Sequence, residues 1–315
     1  MSYSPKISNP SNDLLLTKRE ILKESSSIFD PLGLLCPITV RGKMLIQLLW
    51  KQNFDWDEVL PEEIITEWIK IREDLVKATG IKFSRQYFPK STHKDESLHI
   101  FADSSIKAYG ACAYLVSGNE SILIMAKSKV APIKQLTVPK LELCAALLAA
   151  RLCQHIKSAI DCKSIYLWSD SQIVLSWISS AKKQPIFVSN RVKEIQEMSN
   201  GFQWQYCPTH ENPADLLSRG LTYEKIQNNP LWMHGPKWLA DERAFPRNDY
   251  QFVEYDNPIC ETTVLTASRD SLQTPNIIEI LDFQRYNSYM KLLRVTAYVN
   301  RFVNNCRRSE KIRDL

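Results

Sequence analysis

Four acidic residues, each in its own local context, are the positions at which this sequence could do chemistry. They are Asp103 in FADSS, Glu142 in VPKLELCAALLAA, Asp170 at the end of IYLWSD and Asp215 in HENPADLLSRG. Asp103 and Asp170 follow runs that read as strands, and Glu142 and Asp215 stand at or near the starts of helical runs. Carboxylates placed at element ends can converge on one point of a folded sheet, and here they are expected to meet in one open cleft at a sheet edge. Converging carboxylates repel. Two like charges about 4 Å apart cost about 4 kcal/mol at an effective dielectric of 20, unless a cation lies between them. A set of hard oxygen ligands that leaves room for water and phosphate suits Mg²⁺. Two such ions about 3.5–4 Å apart clamp the attacking and leaving oxygens of a phosphodiester. The pattern points to metal-dependent nuclease chemistry.

Taken singly, each aspartate also reads as a turn former or helix N-cap, and Glu142 as an acid serving a helix dipole. The neighbours of Glu142 argue against that plain reading. Leu141, Leu143, Ala145 and Ala146 make its helical turn a buried one, and a buried carboxylate needs a partner or a metal. The plain readings would have to hold at all four places together.

The elements that must position these acids follow from periodicity. Residues 17–28 carry a helical pattern that breaks at the turn Asp30-Pro31-Leu32-Gly33. A second helix is expected from Pro37 to about Gln52, and a third after Pro61-Glu62-Glu63, whose acids suit the helix dipole. Pro and charge in 84–97 mark a loop. Strands are then expected at 98–103, 109–116 and 121–127, with a hairpin turn at Ser117-Gly118-Asn119-Glu120. Thr137 can cap a helix over about 139–158, apolar on nearly every side. A fourth strand (164–169), a helix around Ile173–Ile178, another at 185–198 and a fifth strand (202–207) complete the order βββ-α-β-α-α-β. That order is the α/β pattern of a mixed five-stranded sheet with helices packed on it.

The composition adds bounds. The 315 residues suggest two domains or one with long extensions. An apolar content of 44% with 24% charged residues is ordinary for a chain with a sizeable core. Only 8 glycines argue against a glycine-rich nucleotide-binding fold, and a net charge of +5 permits a polyanionic partner without demanding one. The eight cysteines show no C-x-x-C spacing, so they read as reduced, mostly buried thiols in a cytosolic or nuclear compartment. No signal peptide is visible, and 141–152 is too short and too charged to span a bilayer, so no membrane partner is expected.

FADSS, the glutamate of LELCAALLAA, WSDSQIVLSWI and ENPADLLSRG resemble, in order and context, the ribonuclease H domain of LTR-retrotransposon polyproteins. The upstream SSIFDPLGLLCPITVRGKMLIQLLW is similar to the BEL/Pao type, at the junction after the reverse transcriptase. The downstream MKLLRVTAYVNRFVNNC resembles the segment before the integrase zinc module. The resemblance implies a ribonuclease H-like fold that hydrolyses the RNA strand of RNA–DNA hybrids during reverse transcription. It implies two Mg²⁺ or Mn²⁺ ions held by Asp103, Glu142, Asp170 and Asp215, and His210 assisting proton transfer or product release. Ser104, Ser171, Gln172 and Asn212 would touch substrate. Partners implied are the hybrid and the reverse transcriptase and integrase parts of the same polyprotein, in a cytoplasmic retroelement particle or the nucleus.

The implied organisation is a disordered 1–13, a helical connection module at 14–82 packing apart from the sheet, a ribonuclease H-like domain at 83–225, an irregular linker at 226–275 and a basic helical segment at 276–315. With no Y-x-D-D motif and no integrase zinc pattern, the chain reads as a polyprotein fragment or a decayed copy. Two other functions stay open. One is a catalytically silent nucleic-acid-binding or assembly module. The other is a Pao-type aspartic peptidase, disfavoured because Asp103 precedes Ser-Ser and Asp170 precedes Ser-Gln where D-[ST]-G is needed.

Overall fold

Alternation along one strand decides which side chains meet which layer. In β1 (Ser97–Ser104), Leu98, Ile100 and Ala102 join one apolar layer, while Phe101 joins the other and His99 stacks on Tyr166 beside it. The computed structural model describes residues 16–83, 87, 88, 96–180, 182 and 184–246. Antiparallel to β1 runs β2 (Ala108–Ser117), and antiparallel to β2 runs β3 (Glu120–Val130); Gly118, with φ +58°, supplies the tight turn between them. β4 (Ser164–Ser169) and β5 (Gln203–Tyr206) continue in parallel on the other side, giving the order β3-β2-β1-β4-β5. This is the expected ribonuclease H-like mixed sheet.

On the first face lies α4 (Val138–Lys157). Its Ala145, Ala149 and Cys153 pack on the sheet, and its Leu143, Ala146, Leu147 and Ala150 face α5 (Gln172–Ser179) and α6 (Ile186–Met198). A helix with neighbours on both sides has no polar face, which is why its sequence is apolar nearly all round. Thr137 occupies its N-cap position, but its side chain makes no capping bond.

The second face departs from expectation. The predicted helical module consists of α1 (Lys18–Ser25), α2 (Cys36–Lys51) and α3 (Glu62–Ala78). It does not pack apart from the sheet. Ile21, Leu34, Leu35, Ile38, Leu45, Trp68 and Leu75 share one core with Phe101, Cys112, Tyr114 and Trp168 of the strands. The Asp30-Pro31-Leu32-Gly33 turn seats the module on the edge strand. Asp30 accepts the Leu34 and Leu35 amides, opening α2, and Leu32 O accepts the Ala126 amide at 2.8 Å. A Cβ on Gly33 (φ +72°) would lie 1.8 Å from Ala126 O, so the close approach needs glycine. The docked turn covers an edge that would otherwise invite another strand.

The chain after the sheet returns to the same face through α7 (Ala214–Arg219), α8 (Tyr223–Ile226) and α9 (Pro230–His234). Residues 226–246, expected as irregular linker, therefore contribute Ile226, Trp232 and Leu239 to the core. Trp232 is fully buried; its indole donates to Leu34 O at 3.0 Å, and its carbonyl accepts from the Tyr114 hydroxyl at 2.9 Å. Arg41 of α2 pairs with Asp74 of α3, and Asp74 also accepts the Tyr223 amide at 3.1 Å, tying module and return segment together. Trp232→Ala is expected to cost about 3–5 kcal/mol, the usual scale for a buried large-to-small change, and to orphan the Leu34 carbonyl. A lower urea midpoint at unchanged slope would register it; a midpoint equal to wild type would contradict this packing.

Cys36, Cys112, Cys153 and Cys207 are buried and free, and Cys144 and Cys162 are free and half-buried. Among the described residues no helix is long and apolar enough to cross a membrane. Residues 1–13, 247–275 and 276–315, on which other expectations rested, lie outside the described residues.

Candidate active site

β1 and β4 are neighbours in the middle of the sheet, with Ala102 paired to Ser169. That parallel register brings Asp103, in the last turn of pleat of β1, beside Asp170, the residue that follows β4. The site thus lies at the ends of the two central strands and not on an outer strand.

Asp215 and its surroundings reach these acids through a close packing. Asp103 pairs across the ladder with Gly110, where a Cβ would lie 2.0 Å from Leu217 Cδ1. The missing side chain lets α7 lie directly on β2 at the level of Asp103. Ser218 of α7 then donates to Asp103 Oδ2 at 2.5 Å. Asn212 is buried; its amide donates to Ala102 O at 3.0 Å, and its Oδ1 accepts the Ala214 amide at 3.1 Å. The start of α7 is pinned to the strand that carries Asp103. Asp215 stands in the first turn of α7, half-buried, and accepts from Arg219 Nε at 2.5 Å.

The acids act on one another electrostatically. Burial first, then repulsion from Asp170 and Asp215, pushes the Asp103 carboxyl from 3.8 up to about 8, against the Ser218 hydrogen bond. Burial raises Asp170 as well, with repulsion from Asp215 adding and hydrogen bonds from Thr209 and Asn212 opposing. Glu142, just past the first turn of α4, is raised by burial and by Asp170, while a hydrogen bond with Ser171 pulls it down. Arg219 is kept charged by Asp215, with smaller contributions from Asp103 and Asp170. Asp170 Oδ1 is buried and meets no protein donor.

The donor set is all carboxylate oxygen, and Asp170 Oδ1 is a buried acceptor without a protein donor, so the residues fit a hard divalent cation. Among the described residues, however, no three such groups are gathered into a ready-made metal cage.

The other expected residues separate into two kinds. Ser171 is buried and caps α5 by accepting the Val174 amide at 3.3 Å. Ser104 is buried, and its hydroxyl has no partner. Asn212, expected at substrate, is buried, bonded to Ala102 and Ala214 and turned toward Asp170, so it supports the acids from behind. Gln172 is exposed at the start of α5. His210 is exposed in the short 3₁₀ turn Thr209–Glu211, 3.9 Å from Glu211. Sequence reading missed Ser218 and Arg219. The lone glycine at 110 inside a strand was the one available sign of a close approach there.

Residues 17–171 match the family described as Pao retrotransposon-like RNaseH-like domain. No curated protein matches the sequence. Among solved structures, the chain is similar to RNase H1 from the halophilic archaeon Halobacterium salinarum NRC-1, with 21% identity over 39% of this chain and 93% of that one and a TM-score of 0.30. It is also similar to the N-terminal RNase H domain of a Mycobacterium tuberculosis protein, with 17% identity over 42% and 94% of the two chains and a TM-score of 0.31. The foamy viral protease–reverse transcriptase, solved with double-stranded DNA, shares 15% identity over 65% of this chain and 33% of that one, with a TM-score of 0.41.

Proposed function

We propose, from the match of residues 17–171 to the family described as Pao retrotransposon-like RNaseH-like domain, that the chain hydrolyses the RNA strand of RNA–DNA hybrids with the help of divalent metal ions, during reverse transcription of a retrotransposon. The observation that carries the reading is the buried, partnerless Asp170 Oδ1 among acids that raise one another's proton affinity. A site of this kind is poorly compensated until a cation enters it.

Asp103, Glu142, Asp170 and Asp215 would hold Mg²⁺ or Mn²⁺. When bound, such ions supply an activated water and charge neutralisation at the leaving 3′ oxygen. The chain's own groups do the rest. Ser218 orients Asp103, Asn212 holds the end of β1 against α7, and Ser171 steadies Glu142. Gln172 and His210, both exposed, are the groups open to substrate. Gln172 would meet the backbone or a 2′-hydroxyl, the group that distinguishes RNA from DNA, and His210 would assist proton transfer at the leaving oxygen or product release. Reverse transcriptase and integrase parts of a polyprotein are the proposed partners, in a cytoplasmic particle or the nucleus.

One observation favours a second reading. Arg219 already neutralises Asp215, and no closed set of metal ligands stands ready among the described residues, as in a silent nucleic-acid-binding module. A labelled hybrid incubated with the protein and Mg²⁺, with and without chelator, separates the two. Cutting of the RNA strand alone, abolished by chelator, is expected. Binding without cutting favours the silent module, and equal cutting of a labelled DNA duplex run in parallel contradicts the hybrid assignment.

A further inference from the structure

A groove of about 310 Å³ lies between α2, α3 and the turn joining β1 to β2. Four cations line it, Arg41, Lys51, Lys107 and Arg219, against one acid, Glu67. Arg41 and Arg219 are engaged by Asp74 and Asp215, whereas Lys51 and Lys107 are exposed at the ends of α2 and of the β1–β2 turn. Arg219 makes the groove continuous with the acid cluster, because the same side chain lines the one and pairs with the other.

The two walls are tied together. Gln47 of α2 donates to Ala131 O, and the Ala131 amide donates to Lys107 O at 2.8 Å. The spacing between helix and turn is therefore built in. A carboxylate cluster repels a polyanion, and a net charge of +5 spread over the whole chain offsets that only weakly. Cations concentrated beside the acids offset it locally. Lysines on flexible stems suit phosphates as point charges, without reading sequence.

We propose that this groove carries the sugar–phosphate backbone of the bound hybrid away from the cut, with Lys51 and Lys107 each neutralising a phosphate. The helical module would then be part of the substrate-binding surface. The inference rests on the hybrid-cleaving reading.

The test uses the full chain and a short fluorescent RNA–DNA hybrid in chelator, so that no cutting intervenes. Anisotropy is followed across a salt series for wild type, Lys51→Gln, Lys107→Gln and the double variant, with Lys51→Arg and Lys107→Arg as charge-keeping controls. Each glutamine should weaken binding severalfold at low salt and reduce the slope of log affinity against log salt by about one; the arginines should restore both. If the double glutamine variant binds with wild-type affinity and slope while wild type still cuts hybrid in Mg²⁺, the groove is not the path and the cleavage reading stands. If wild type neither binds nor cuts hybrid, both fall.

Discussion

Asp170→Asn is expected to abolish hybrid cleavage and to stabilise the metal-free protein. The amide keeps the size of the side chain but removes the charge that would hold an ion, so cleavage should fall by on the order of 10²–10³-fold at least, the scale of losing a principal electrostatic contributor. Metal-free stability should move the other way. The Asp103 carboxyl is held above its ordinary value, from 3.8 to about 8, by burial and by Asp170 and Asp215. A carboxyl whose folded pKa is raised contributes stability that is fully present below about 4 and is lost as pH rises through about 8. In chelator, the wild-type melting temperature should therefore fall between pH 5 and pH 9 by more than that of the Asp170→Asn variant, which lacks one of the repelling charges. Mg²⁺ should flatten the wild-type fall and leave the variant's unchanged. Parallel melting profiles for the two proteins, or wild-type cleavage by the variant, would remove Asp170 from the site.

A chain beginning at Phe83 is expected to lose its cooperative melting transition altogether. The sequence expectation of a module at 14–82 packing apart from the sheet implies the opposite. Removing α1, α2 and α3 uncovers the second face of the sheet, including Tyr114, Leu123 and Trp168, together with Trp232 of the return segment. Each large apolar side chain moved from core to water costs about 1.5–3 kcal/mol, and the whole margin of a domain is about 5–15 kcal/mol. A handful of uncovered side chains exhausts it. Strong dye binding to exposed apolar surface and a broad, featureless melt are the expected signatures; a sharp transition near that of the full chain would show that the sheet folds without its cover.

The parts of this architecture legible in the sequence are those set by local periodicity. Alternation marks β1, and the apolar circumference of α4 marks a helix with neighbours on both sides. The four acids are legible because element ends are. What periodicity cannot state is which surface an apolar stripe meets. The stripes of α2 and α3 announce burial, but nothing local says that Leu45, Trp68 and Leu75 share a core with Trp232. The same limit turned Asn212 into an expected substrate contact: a polar residue beside an acid looks the same in sequence whether it faces solvent or, as here, closes hydrogen bonds behind the site. Trp232, Trp238 and Phe245 lie in a stretch without helical or strand period, so their packing against the sheet's aromatic face left no pattern to read.

The bond from the Trp232 indole to the Leu34 carbonyl joins residues 198 apart in sequence, and this separation has a temporal consequence. At synthesis rates of about 5–20 residues per second, the partner of Leu34 emerges roughly 10–40 s after it. During that interval the helices that come first, and the sheet face they will cover, are both made but not yet locked together. Contacts so distant also slow folding, because the loop between them must close before they contribute. The nascent chain thus spends its most aggregation-exposed period before α9 is translated, and Trp232 acts as the latch that ends it.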